Sequence, residues 1–184
     1  MAEDAEARRR RLVTRWRTRE ARDALAAVIA DILAGRPWAL PGGSVGDLED
    51  VFNRRDLRGA PLKRVAIPGA DLTACALEFA DLRGANLENA NLREAELPYA
   101  DLTAARLVGA NLENCFVPAA RCIGADFSRA RLAGTAFTGA DLRRAIFVGA
   151  DLSNAVLFGA RLDGADFTDA NLEGALFGKF AENG

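Results

Sequence analysis

The sequence predicts an all-β solenoid with an N-terminal α-helical cap. From Arg55 to Lys179, every residue whose number ends in 2 or 7 is apolar, and the residue two positions earlier is nearly always small, most often alanine. An unbroken five-residue period of this kind predicts a repeat architecture. The cap is predicted from residues 4–34, which contain neither Gly nor Pro and are rich in the helix formers Ala, Arg, Glu and Leu.

The five-residue unit is too short for a helix pair or a hairpin, so it must consist of a short extended segment and a turn. Alternation along the extended segment turns the small residue and the central apolar residue inward, and the residue between them outward. Glycine is common at the last position of the unit's turn, where a positive φ favours it. The units therefore form a wall around a core of Leu and Phe, with Ala where the wall is tight.

The outward residue between the two inward ones is Asp or Asn in many units. Asp and Asn beside a turn accept hydrogen bonds from nearby backbone amides, and we expect this structural role for most of them. Some of these aspartates also form a candidate acidic surface, namely Asp71, Asp81, Asp101, Asp141 and Asp151.

Residues 80–92, Ala-Asp-Leu-Arg-Gly-Ala-Asn-Leu-Glu-Asn-Ala-Asn-Leu, resemble the pentapeptide repeat family, and the resemblance extends over about two thirds of the chain. It implies a right-handed quadrilateral β-helix with four units per coil and about six coils, so that residues twenty positions apart stack. Cys75, Cys115 and Cys122 take inward positions on this template. We expect them to be buried apolar residues, too far apart for a disulfide.

The chain divides into four predicted segments. Residues 1–36 form an amphipathic, arginine-rich helix that acts as the cap, and residues 37–54 form a linker rich in Pro and Gly. Residues 55–180 form the pentapeptide-repeat β-helix, and residues 181–184 form a tail.

Four apolar residues of the N-terminal helix fall on one face at helical spacing: Leu25, Val28, Ile29 and Ile32. We expect this face to pack on the first coil, because the end units of a repeat array otherwise expose their core. The arginines of the helix would then be solvated. The alternative is a basic amphipathic helix that contacts nucleic acid or an anionic membrane.

Composition excludes several classes of function. The net charge is −2, which provides no strong field to attract nucleic acid or a membrane surface. The sequence shows neither a secretory signal nor an apolar stretch long enough to span a membrane, so we expect a cytoplasmic protein. Because it has no histidine, no metal-ligand cluster and no phosphate-binding loop, we predict a non-enzymatic protein without metal or cofactor.

The resemblance also implies a partner. Some family members, of the quinolone-resistance types, bind DNA gyrase and topoisomerase IV as acidic rods similar in width to B-form DNA. The charge pattern here weakens such mimicry, since residues 55–184 hold 14 basic and 17 acidic residues. Asp101, Arg121, Asp141 and Arg161 alternate in sign along one outward column, which favours pairing. We keep gyrase or topoisomerase IV as the candidate partner and expect no direct binding of nucleic acid.

An interaction scaffold for an unrelated cytosolic partner is the competing interpretation. Such a partner would dock through the N-terminal helix and through an apolar cluster on one wall, because clustered exposed apolar residues mark contact sites. The candidate partner-binding residues are Phe79, Tyr99 and Phe116. The N-terminal helix could instead fold back over part of this cluster.

The C-terminal coils carry a predicted homodimer interface. No helical cap follows the last coil, and an unpaired coil edge favours pairing with a second copy. The gyrase-binding relatives dimerise through this end, so the resemblance implies the same arrangement. The candidate interface residues are Val156, Phe158, Leu176, Phe177 and Phe180.

Overall fold

The computed structural model describes residues 4–38 and 55–178. Its helical part consists of α1 (Ala5–Thr14), α2 (Arg19–Leu33) and, between them, one turn of 3₁₀ helix (Arg15–Arg17). The prediction of one continuous N-terminal helix was therefore wrong in this detail. None of the helices in these two described ranges has the length and apolar content needed to cross a membrane.

Two capping residues explain why the N-terminal segment forms two helices. The Asp4 carboxylate accepts a hydrogen bond of 2.8 Å from Ala7 N and begins α1. Thr18 has an extended backbone (φ −71°, ψ 158°), and its hydroxyl accepts a bond of 3.1 Å from Ala21 N, which begins α2. Between the helices, the Trp16 indole N–H donates to Arg58 O at 2.8 Å and ties the turn to the first coil.

The repeat forms a solenoid in which residues twenty positions apart pair in parallel. The bridges run from Asp56–Ala76 to Asp151–Asn171, so each coil contains four five-residue units, as the resemblance implies. Among residues 55–178, the pairing lengthens into strands only at β1 (Val156–Phe158) and β2 (Leu176–Gly178). Elsewhere two turn residues interrupt every unit and keep each bridge short. The right-handed twist and the number of coils stay predictions.

The inward positions form one continuous core. The central Leu and Phe residues and the small residues before them are buried along most of the solenoid. Phe127, Phe147 and Phe167 stack with centroid separations of 5.1 and 4.9 Å, close to the ~4.8 Å spacing of neighbouring strands. Phe137 meets Phe127 and Phe147 edge-on at 5.9 and 6.3 Å. Each such pair adds about 0.5–1.5 kcal/mol beyond its burial.

Gly59 fixes how closely α1 approaches the first coil. A Cβ added to Gly59 would lie 2.6 Å from both the carbonyl carbon and oxygen of Leu12, whose own side chain is buried. Gly124 also has a positive φ (+63°, against +67° at Gly59), but an added Cβ there would meet nothing within 4 Å. Gly59 is therefore required for helix docking as well as for the turn.

The two glycines provide a matched test of this docking. We expect Gly124→Ala to cost about 1–2 kcal/mol of unfolding free energy, because alanine is strained at positive φ. Gly59→Ala should cost a further ~1–3 kcal/mol, because the methyl group overlaps the backbone of α1 and displaces it. Urea denaturation of both variants measures the difference, and equal losses would show that α1 is not held against Gly59.

Candidate interaction surface

A buried ion cluster fastens the N-terminal segment to the solenoid. Arg15 donates to both carboxylate oxygens of Asp56 at 2.8 and 2.9 Å, and Arg58 donates to the same two oxygens at 3.0 and 2.8 Å. The Arg15 and Asp56 side chains are only 7% and 14% exposed. Burial alone would raise the pKa of Asp56, but the hydrogen bonds from Arg58 and Arg15 hold it well below its usual range.

The expectation that the N-terminal arginines are solvated was wrong at Arg15 and also at Arg8. Arg8 forms two hydrogen bonds of 2.7 Å with the Glu78 carboxylate. The physical reason is that Arg8, Leu12 and Arg15 share one face of the segment, and buried Leu12 brings both arginines to the carboxylates of the solenoid. That spacing is visible in the sequence, but no sequence signal specifies which carboxylates of the solenoid the two arginines meet.

The predicted apolar face of the helix lies on the solenoid core. Leu25, Val28 and Ile32 are buried in the same cluster as Leu57, and Ile29 is partly buried against it. These four residues of α2 therefore occupy the cap position. Beyond α2, Trp38 is buried as well, and its indole N–H donates to Asp71 O at 2.8 Å.

Three outward aromatic residues, Phe79, Tyr99 and Phe116, form what we name the aromatic strip. Phe79 and Tyr99 stack with their centroids 5.0 Å apart and their planes 12° apart. Tyr99 is 48% exposed and Phe116 is 50% exposed, whereas Phe79 is half-buried. Helix α1 lies beside the strip and does not cover Tyr99. Between them is a cleft of about 470 Å³, lined by Arg9 and Val13 on the helix side and by Phe79 and Tyr99 on the strip side.

The five candidate acidic residues all have the predicted structural role. Each carboxylate accepts a hydrogen bond from the backbone N–H two residues later: Asp71, Asp81, Asp101, Asp141 and Asp151, at 3.1, 3.3, 3.0, 3.4 and 3.0 Å respectively. This bond stabilises the turn of each unit. The carboxylates are therefore fixed in position by the fold itself.

Arginines also neutralise part of this acidic surface. Arg83 donates to both oxygens of Asp81 at 2.7 and 2.6 Å, and Arg143 does the same to Asp141 at 2.7 Å. The Arg55 hydrogen bond lowers the pKa of Asp71 to about 2, against the opposing effect of burial. The pairs predicted along the outward column are longer, at 3.8 Å for Arg121 with Asp101 and 3.9 Å for Arg161 with Asp141. The short pairs join residues two positions apart and were not predicted from the sequence.

The twenty-residue stacking sorts the outward and turn residues of 56–178 into four walls. One wall, built by the units that begin at 61 and at every twentieth residue to 161, is named the basic wall. It carries seven cations against four carboxylates: Lys63, Arg64, Arg83, Arg121, Arg143, Arg144 and Arg161 against Asp81, Asp101, Asp141 and Asp163. The other three walls together carry five cations against twelve carboxylates and are named the acidic walls.

The predicted dimer residues lie on the last two coils, but they differ in exposure. Leu176 is 59% exposed, Phe177 is 48% exposed and Phe158 is 38% exposed, whereas Val156 is half-buried. Leu176–Gly178 forms strand β2, which pairs with β1 on one side. Phe180 lies outside the described residues.

The cysteines offer no reactive group. Cys75, Cys115 and Cys122 are free and buried, and burial raises the pKa of the Cys115 thiol to about 12. Burial raises the pKa of the other two thiols as well. Within the described ranges, the structure contains no group of three or more Cys, Asp or Glu side chains that could hold a metal ion. The outer surface is therefore the candidate functional site.

Comparison with known families identifies the repeat. The model of pentapeptide repeats matches in eight copies over residues 70–107, 105–144 and 137–174. Together these matches span 70–174, which is more than half of the 184 residues. The chain belongs to the pentapeptide repeat family.

Several solved pentapeptide repeat proteins are similar to this chain. HetL, involved in heterocyst differentiation regulation in the cyanobacterium Nostoc, is 31% identical over 66% of this chain and 68% of its own, with a TM-score of 0.28. A protein of the Arabidopsis thaliana thylakoid lumen is 26% identical over 48% of this chain and 66% of its own, with a TM-score of 0.29. Full-length QnrB1, a plasmid-mediated fluoroquinolone resistance protein, is 18% identical over 62% and 80%, with a TM-score of 0.29. No curated protein sequence matches significantly.

The Asp56 cluster makes the stability of this pentapeptide repeat protein depend on pH. Because the pKa of Asp56 is lowered in the folded state, its stabilising contribution is present above the unfolded pKa and is lost as the pH falls below about 4. At neutral pH, Asp56→Asn should cost about 3 kcal/mol, since it leaves Arg15 buried without its carboxylate.

Thermal unfolding between neutral pH and pH 2 measures this effect. The difference in stability between wild type and Asp56→Asn should narrow towards low pH, while Asp169→Asn, an exposed turn position, should follow the wild type throughout. A difference that stays constant with pH would contradict the assignment to Asp56.

Proposed function

We propose that this protein acts without catalysis, in the cytoplasm, by binding another protein along the outer surface of the solenoid. The exposed aromatic strip carries the proposal. Tyr99 and Phe116 are each about half exposed, although other aromatic residues, such as Phe127 and Phe137, are buried at inward positions of the core. Aromatic side chains are enriched at protein interfaces because they bury a large area at a small entropic cost.

As the specific partner we propose DNA gyrase or topoisomerase IV, which the protein would modulate or protect from quinolone-like poisons. Support comes from the family, some of whose members bind these enzymes, and from the acidic walls with their twelve carboxylates against five cations. A surface of that sign would compete with DNA for a positively charged binding channel on the enzyme. The protein itself is not proposed to bind nucleic acid.

A gyrase supercoiling assay, with and without a quinolone, tests this partner. Wild-type protein at micromolar concentration should inhibit supercoiling or protect the enzyme from the drug. Asp71→Asn combined with Asp151→Asn should weaken the effect, because two negative charges are removed from one acidic wall. The turns should survive, because Asn91 and Asn111 occupy the same column and their side chains accept the same backbone bond. If the wild-type protein does not inhibit supercoiling and does not protect the enzyme from the drug, gyrase is excluded as the partner.

A second candidate, an unrelated cytosolic partner, is favoured by the cleft between α1 and the aromatic strip. Its lining combines Arg9 and Val13 of α1 with Phe79 and Tyr99, so a partner could contact the helix and the strip together. The gyrase assay separates the two candidates. If the partner is an unrelated protein, the wild type should have no effect on gyrase. An effect on gyrase that the two Asp→Asn substitutions reduce and that Tyr99→Ala leaves unchanged would assign gyrase to the acidic walls and leave the strip for another protein.

We also propose that two copies associate through their C-terminal coils. Support comes from the apolar surface of the last coil, where Leu176 and Phe177 are both about half exposed or more. Such residues at the end of a solenoid would be buried against a second copy around a two-fold axis. Phe158 packs its ring against Gly178, so it supports the last coil and is a less suitable test position than Leu176.

Light scattering at tens of micromolar protein tests the dimer. We expect a dimer for the wild type and a monomer, or at least about a tenfold weaker dimer, for Leu176→Glu, because a charge would be buried at the interface. Thr168→Glu adds the same charge to the opposite wall of the same coil and should leave the dimer intact. A monomeric wild type would refute the proposal.

A further inference from the structure

The basic wall carries a cationic excess that its own carboxylates do not remove. Asp141 lies 2.7 Å from Arg143 and 3.9 Å from Arg161, so two guanidinium groups share one carboxylate. Asp101 is likewise shared, at 3.9 Å from Arg83 and 3.8 Å from Arg121. Arg83 also pairs with Asp81 at 2.6 Å, so the charges around Asp101 balance. Asp141, by contrast, can neutralise only one of Arg143 and Arg161, which leaves that part of the wall positive.

At the outward positions of this wall the arginines are more exposed than the aspartates. The Arg121 and Arg161 side chains are 62% and 58% exposed, whereas Asp101 and Asp141 are 27% and 18% exposed. The difference follows from the repeat, since Asp101 and Asp141 are held inward by the backbone amide two residues later. At these positions an approaching molecule therefore meets guanidinium groups before carboxylates, whereas the turn residue Asp163 is exposed.

A cleft of about 590 Å³ concentrates this charge towards the C-terminal end of the wall. Arg143, Arg144 and Arg161 line it together with Asp163, and Ile123 adds an apolar side chain. Within residues 4–38 and 55–178, no carboxylate lies within ion-pair distance of Arg144. Its stem passes over the next coil, since a Cβ added to Gly164 would lie 3.6 Å from Arg144 Cγ.

A second cleft, of about 470 Å³, lies towards the N-terminal helix, and Arg9 of α1 lines it together with Arg83 and Arg121 of the basic wall. Three carboxylates, those of Glu6, Asp81 and Asp101, line it as well, so its charges balance. Both clefts therefore lie along the same wall, one nearer each end. A ligand that used both would be extended along the solenoid axis.

We propose that the basic wall binds an extended acidic segment of a partner protein, with its carboxylates on Arg144 and Arg161 and an apolar residue over Ile123. This deepens the proposed function, since it rests on the protein acting by protein binding. Paired N–H donors of a guanidinium match the two oxygens of a carboxylate, so arginine favours this chemistry. The apolar contact adds a preference that charge alone would not give.

The width and surroundings of the wall favour a protein segment over nucleic acid. A wall is one unit wide, with its outward residues spanning roughly 10 Å at ~3.3 Å per extended residue. A single extended peptide fits within that width. A nucleic acid duplex would overlap the neighbouring acidic walls, and its backbone, with one charge per about 1.7 Å, would be repelled there.

Fluorescence anisotropy with a labelled peptide of about twelve residues, rich in Glu with one central Leu, tests the proposal on the full chain at low salt. We expect saturable binding by the wild type. Arg144→Gln combined with Arg161→Gln should weaken the affinity about tenfold or more, through loss of two charge-assisted contacts. Arg106→Gln combined with Arg131→Gln removes the same charge from the acidic walls, where both arginines are ion-paired, and should leave the affinity unchanged. Circular dichroism checks that both variants are folded.

Three outcomes would overturn the proposal: no binding of the peptide, equal losses in the two double variants, or tighter binding of a single-stranded or duplex oligonucleotide of equal charge. The last outcome would assign the wall to nucleic acid. The result is independent of the gyrase assay. If the protein binds the peptide but has no effect on gyrase, gyrase is rejected as the partner and the proposed acidic segment is supported. If the protein affects gyrase but does not bind the peptide, only the proposed role of the basic wall is rejected.

Discussion

The hydrogen bonds between neighbouring coils hold every other feature in place. In most units, the central residue donates its backbone N–H to the carbonyl of the outward residue in the next coil, as Leu92 does to Asn111 O at 2.7 Å. The small residue three positions later closes the turn by donating back to the central carbonyl, as Ala95 does to Leu92 at 2.9 Å. The first inward residue of the unit, such as Ala95, is buried beside these bonds, and its small side chain leaves the interior to the central Leu and Phe side chains.

This constraint also determines the surface charge. Because the outward Asp or Asn must bond the amide two residues later, a carboxylate at that position is held close to the backbone. Arginines are free of this requirement and extend further into solvent, as the exposures of Arg121 and Asp101 show. The fold therefore converts a nearly neutral composition into walls of opposite sign.

The helical cap satisfies polar groups as well as covering the core. Trp16 and Trp38 each place an apolar ring over the first coil and donate an indole N–H to one of its carbonyls. Arg15 brings a buried charge to Asp56. A purely apolar helix would cover the same core but would leave those carbonyls without indole donors, which is costly in a buried environment, and would leave Arg58 as the one arginine bound to the Asp56 carboxylate.

The sequence by itself determined the five-residue unit, the inward and outward positions, the family and the cap, because these depend on local alternation and on a period that repeats along the chain. It could also predict that Asp101 and Arg121 pair, since a twenty-residue stacking follows from the family. Only the tertiary structure decided that Arg8 and Arg15 bind the solenoid, that α1 lies on Gly59, and that two clefts share the basic wall. Those contacts join residues far apart in sequence, and no periodic pattern specifies where a helix outside the repeat will dock.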